Sequence, residues 1–127
     1  LAGLGCEEAV AELIEAYLEQ HPAASATVHW HLAQSLALLG RTELAKNRAK
    51  RALRLPENMN SVNAHWNAYV LATVAFWDGN RAELKRLHAA LLETPRGRLP
   101  SDPLRKAVER LVACVGIEYK ALELCSQ

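Results

Sequence analysis

The sequence predicts an all-α chain built as a stack of antiparallel helix pairs, and three observations lead there. Alanine and leucine dominate while aromatic residues make up only 6% of the chain, a mix that favours helix over strand. Apolar residues recur at i, i+3 and i+4 through six segments, the spacing of amphipathic helices. The helix breakers are also regular. Pro22 and Pro56 are 34 residues apart, whereas Pro56 and Pro95, like Gly40 and Gly79, are 39 apart. A recurring unit of this length is the mark of a helical repeat array.

The first helix is predicted over 7–20, with Ala9, Val10, Leu13, Ile14, Tyr17 and Leu18 on its apolar side. Its other side carries Glu7, Glu8, Glu12, Glu15 and Glu19, and Pro22 stops it. A second helix over 25–39 has Ser25 as an N-cap and Gly40 as its C-terminal stop. The third begins near Thr42, carries Leu44, Ala45, Ala49, Ala52 and Leu53, and ends before Pro56, since a residue preceding proline is pushed out of the helical region. The pattern then repeats with helices over 61–77, closed by Asp78-Gly79, and 81–92, ending before Pro95. Residues 95–102 read as a loop. Asp102-Pro103 is a capping carboxylate followed by proline at the first helical position, so the sixth helix is expected over 103–124, interrupted at Gly116. Short connections imply antiparallel neighbours.

At 127 residues the chain has the length of one domain and can bury roughly two thirds of the surface it would expose unfolded. Its net charge of +1 lacks the basic excess of a dedicated nucleic-acid binder. No apolar run approaches the ~20 residues that span a bilayer. Residues 1–6 loosely resemble the end of a lipoprotein signal, but Gly3 stands where that signal prefers leucine. A cytoplasmic placement is expected, with a lipoprotein or periplasmic one left open. Cys114 and Cys125 fall in one predicted helix, where a rise of ~1.5 Å per residue separates them by about 16 Å, too far to bridge. Cys6 alone could pair with either, and three free thiols in a reducing compartment are expected.

Two stretches resemble tetratricopeptide repeats. Trp30 to Arg41, followed by Ala45 and Ala52, has leucine then a small residue in the first helix, glycine at the turn, and two small residues in the second helix. Tyr69-Val70-Leu71-Ala72 through Gly79 to Leu84 and Pro95 resembles a second unit. His29 and Ala68 stand where the family usually has tryptophan, Ala49 and His88 where it has an aromatic, Leu36 and Ala75 where it has tyrosine, and Leu84 where it has alanine. The resemblance implies a right-handed α-α superhelix over 1–127: a partial unit at 6–22, helix pairs at 24–56 and 60–95, and a capping helix at 102–125. In such stacks the first helices of successive pairs line a concave groove that holds a peptide. Carried over, the groove positions are Trp30, Gln34, Trp66, Tyr69, Thr73 and Trp77, with Thr27, Ala37, Leu38 and Phe76 beside them. Aromatic anchors suit recognition because they contribute large contact area at low entropic cost. The same aromatics could equally fill a core. Members that grip a terminal carboxylate use lysine and arginine in the groove; these positions are uncharged, so an apolar or amphipathic ligand is expected.

Nothing points to catalysis. His29 and His31 are two apart and fall on different helix faces, so they cannot chelate one ion together. There is no His-Glu-x-x-His, no Cys-x-x-Cys and no glycine-rich phosphate loop, so no metal, cofactor or catalytic residue is expected. Arg41, Lys46, Arg48, Lys50, Arg51 and Arg54 form a basic helix without interleaved aromatics, a solvated face that could oppose the acidic first helix rather than nucleic acid. The expected role is a protein-interaction scaffold, adaptor- or chaperone-like, with a peptide or partner subunit in the groove. The alternative is an assembly protein that homodimerises through the same apolar surfaces.

Overall fold

The computed structural model describes residues 2–21, 23, 25–92 and 101–125, and among them every regular element is helical. The expected stop at Pro22, the loop over 95–100 and the capping side chain of Asp102 lie outside what it describes. The chain divides into two compact units, residues 1–53 and 54–127.

The first unit contains α1 (Ala2–Gln20), α2 (Ala26–Leu38) and α3 (Thr42–Arg51), with α2 packed on both others. Its core is built largely of alanine. Ala33, Ala45, Ala49 and Ala52 are fully buried beside Leu32, Leu36 and Trp30, so the backbones of α2 and α3 approach closely. α1 contributes Ala11 and Leu18. At the surface, Arg41 meets Glu8 at 2.8 Å and Arg48 meets Glu15 at 3.7 Å. Arg41 and Arg48 of the basic stretch therefore face the acidic side of α1. Such exposed pairs steer packing more than they stabilise it.

The second unit opens with a 3-10 turn, Pro56–Asn58, and continues through α4 (Ser61–Asp78), α5 (Arg81–Leu92) and α6 (Ser101–Ala113). Here each helix packs on the other two. The core side chains are larger: Phe76, Leu84, Leu87, Leu91, Val108 and Leu111, closed by Ala72, Ala75 and Cys114. A fully buried aliphatic side chain of this kind contributes ~1.5–3 kcal/mol through removal from water. Asn60 starts α4 by accepting the Asn63 N–H at 2.8 Å. Asn67 then anchors the entry to the unit. Its amide oxygen accepts the Arg54 N–H at 2.7 Å, and its amide nitrogen donates to the Arg54 carbonyl at 3.1 Å.

The two helix pairs are joined by the same turn. Gly40 (φ 81°) and Gly79 (φ 67°) each sit in the left-handed region just past a helix, where a side chain would be strained. The Gly40 N–H donates to the Ala37 carbonyl and the Arg41 N–H to that of Leu36; Gly79 and Asn80 repeat this with Phe76 and Ala75. Both are Schellman closures that satisfy the last carbonyls of the helix. The 39-residue spacing of the glycines is thus a repeat of structure as well as of sequence.

The C-terminal region departs from the sequence expectation. Instead of one helix to 124, α6 ends at Ala113, Gly116 takes φ 105°, and a 3-10 segment spans Tyr119–Leu124. The reversal brings Cys114 and Cys125 to a Cα–Cα distance of 6.2 Å, and they form a disulfide. The expected separation assumed a continuous helix; the left-handed glycine removes that assumption. Cys6 is the free, exposed thiol among the described residues. Smaller departures occur at α3, which stops at Arg51 before the extended Leu55, and at α6, which starts at Ser101 rather than Pro103. α1 starts at Ala2, upstream of the expected residue 7.

Candidate functional site

Along α4, Trp66, Tyr69, Thr73 and Trp77 are spaced 3, 4 and 4 residues apart, which sets them on one helical face. Thr73 is only 1% exposed, and its hydroxyl donates to the Tyr69 carbonyl at 2.9 Å, so burial leaves it satisfied. Tyr69 and Thr73 line a cavity of about 760 Å³. From α6 come Lys106, Ala107, Glu109, Arg110 and Leu111, with Pro103 at one end. The remaining wall is Tyr119 and Leu122 of the 3-10 segment, with Cys125 after it.

The two tryptophans flank this cavity through its tyrosines. The Trp66 ring lies 6.0 Å from that of Tyr69, with the Arg54 guanidinium 4.8 Å above its centroid. This cation–π contact fixes the plane of the indole. Trp77 meets Tyr119 edge-on at 5.5 Å, and Phe76 approaches the same tyrosine at 6.2 Å. The four α4 residues expected in a groove are therefore brought together around one cavity and its edges.

Trp30 and Gln34 lie one turn apart on α2 in the first unit. Trp30 is 3% exposed, within the core, and Gln34 is half-buried. Trp30 is thus placed as a core side chain of its unit. Neighbouring His29 is buried as well. Its pKa is lowered from 6.5, first by burial and then by Arg48 and Arg51, while His31 faces outward. In the second unit burial, followed by Arg105, lowers His65 in the same way.

The cavity has both polar and apolar lining. Lys106 and Arg110 are one turn apart on α6 and both exposed. Glu109 between them is directed toward His88 on α5, with 3.5 Å between Nε2 and the carboxylate. The apolar lining comes from Ala107, Leu111, Leu122 and the two tyrosine rings. Convergent aromatic groups with a few polar ones are what a binding pocket requires. Sequence reasoning missed Lys106, Arg110, Tyr119, Leu122 and Cys125. The apolar periodicity places Tyr119 and Leu122 on the stripe of one long helix. Gly116 was the signal that could have moved them.

Among the described residues no three histidine, cysteine or acidic side chains group so as to hold a metal ion, and no helix is long and apolar enough to cross a membrane. Within the basic stretch, Arg41 and Arg48 pair with α1 as described, and Lys46 pairs with Glu43 at 3.1 Å. No protein-family model matches the chain, and no curated protein or solved structure matches it significantly.

Proposed function

We propose that this chain is a protein-interaction module of the tetratricopeptide-like class, in which the second unit holds a peptide or partner helix through an apolar anchor. The cavity among α4, α6 and the 3-10 segment carries this reading, with Tyr69 and Tyr119 as its walls. The shared Schellman turns at Gly40 and Gly79 and the buried alanines between paired helices support the class. In this reading the chain is a scaffold or adaptor rather than an enzyme, takes no cofactor, and does not act through nucleic acid. Lys106 and Arg110 favour a partner with an acidic residue next to its apolar anchor.

The test is selection of displayed peptides on the immobilised chain. A consensus with an aromatic or branched apolar anchor is expected. Tyr69→Ala should weaken the selected peptide by ~1–3 kcal/mol. Ala107→Arg, which fills the cavity from a partly exposed helix position, should abolish binding. No enriched consensus, or binding that survives Ala107→Arg, would remove the cavity as the site.

An assembly role is favoured by one separate observation. On α1, Val10, Leu13 and Tyr17 share a face and are exposed, Leu13 by 73%. A face of this kind could seat a second copy. Light scattering over a wide concentration range tests it: a stable species of twice 14.0 kDa would support homodimerisation, whereas a 14.0 kDa species throughout would exclude it.

A further inference from the structure

We infer that the Cys114–Cys125 disulfide is a redox latch that holds one wall of the second-unit cavity in place. The wall consists of Tyr119, Leu122 and Cys125, all lying after Cys114 and no further than its partner cysteine. One sulfur is fixed: Cys114 is buried in the core with Ala72, Leu84 and Leu111. The segment attached to the other lies against that core through partly buried side chains, Tyr119, Leu122 and Cys125. Its 3-10 turn, Tyr119–Leu124, contains no buried residue, and Leu124 is 87% exposed. Tyr119 meets Phe76 and Trp77 edge-on. Gly116, at φ 105°, is the pivot from which it departs α6. A short, shallow segment of this kind sits at the low end of local stability and opens readily unless cross-linked. The covalent bond reinforces this shallow packing.

Opening the latch needs a reductant, and a dithiol is sufficient. Its thiolate attacks the Cys125 sulfur, the more accessible of the two, forming a mixed disulfide and expelling the Cys114 thiolate, which takes up a proton. The second thiol of the reductant then closes on the first, releasing Cys125 as a thiol. Two electrons and two protons pass to the protein, and the dithiol leaves as a disulfide. An oxidising setting therefore keeps the wall in place and a reducing one frees it.

The effect on the wall stands without any ligand; the effect on binding rests on the function proposed above, and the experiment separates the two. Hydrogen exchange is followed on the full chain carrying Cys6→Ser, which removes the exposed thiol, in oxidised form, after dithiothreitol, and with Cys125→Ser added. The latch predicts that amides of 117–125 exchange at least tenfold faster in both the reduced and Cys125→Ser forms, while α4 and α5 keep their protection. Unchanged exchange in 117–125 would overturn it. So would loss of protection throughout α4 to α6, which would make the bond a general staple of the unit. Given a selected peptide, its affinity should fall at least tenfold on reduction. Equal affinity in both redox forms would overturn the gating. If selection yields no peptide, the exchange result still decides the latch.

Discussion

The two units use one helix-pair turn and then solve packing differently. In the first, alanines at 33, 45, 49 and 52 let α2 and α3 close on each other, and the third helix is steered by charge pairs from Arg41 and Arg48 to α1. In the second, leucines, valines and an aromatic cluster separate the helices, all three pack mutually, and a disulfide returns the chain against them. Small side chains are fully buried between α2 and α3. Large ones, arranged around two tyrosines, leave a cavity. In the function proposed above, the first unit supports and the second recognises.

The largest effects that could break this comparison come from the cores. Trp30→Ala is expected to cost ~3–5 kcal/mol of stability in urea denaturation, as for a fully buried aromatic. Trp66→Ala, on a half-buried side chain under Arg54, should cost less than that and appear instead as weaker peptide binding. Equal stability losses would erase the distinction between core and site tryptophans. Ala45→Leu tests the alanine interface. Overpacking there should destabilise the chain by ~1–3 kcal/mol, and a stabilised variant would mean that α2 and α3 have room to spare.

Gly116→Ala should cost ~1–3 kcal/mol because φ 105° suits only glycine; the added methyl would itself meet Arg81 Nη2 at an ordinary contact distance of 3.5 Å. That nitrogen donates to the Val115 carbonyl at 3.3 Å, which ties the turn to α5. Hydrogen exchange should place the disturbance after residue 114. A change spread over α4 and α5 would contradict the independence of the segment.

A smaller effect is set by pH. His29 and His65 have folded-state pKa values below 6.5, so the unfolded chain binds more protons than the native one as acid is added. Stability from these groups is therefore present above about 6.5, declines as the pH falls below it, and is fully lost once the folded-state values are passed. Denaturation at pH 7.5 and 5.5 should show this loss, and His29→Gln with His65→Gln should flatten it. The smallest change is expected for Arg41→Ala. Its exposed pair with Glu8 should matter little at low salt and not at all at high salt.

Much of the helix layout was legible in the sequence. α2 and α4 fall within a residue of the expected bounds, and α5 matches them, because Gly40, Asn60 and Gly79 act locally through caps and left-handed φ. α6 was misjudged because Leu104, Val108, Leu111, Val112, Val115, Tyr119 and Leu122 keep helical spacing across a break. Apolar periodicity does not register a backbone reversal when the residues on both sides face the same core. The disulfide was lost with it. The α4 stripe from Trp66 to Trp77 was readable as one face, but its opposite wall depended on where Gly116 sends the chain.

The most direct test of the division between support and recognition is backbone amide NMR of the oxidised chain titrated with the selected peptide. Shifts are expected at Tyr69 and Thr73, along 106–111 and through 119–125, with α1 to α3 unchanged. Shifts concentrated around Trp30 and Gln34 on α2, with the α4 and α6 signals unmoved, would place recognition in the first unit and contradict the account.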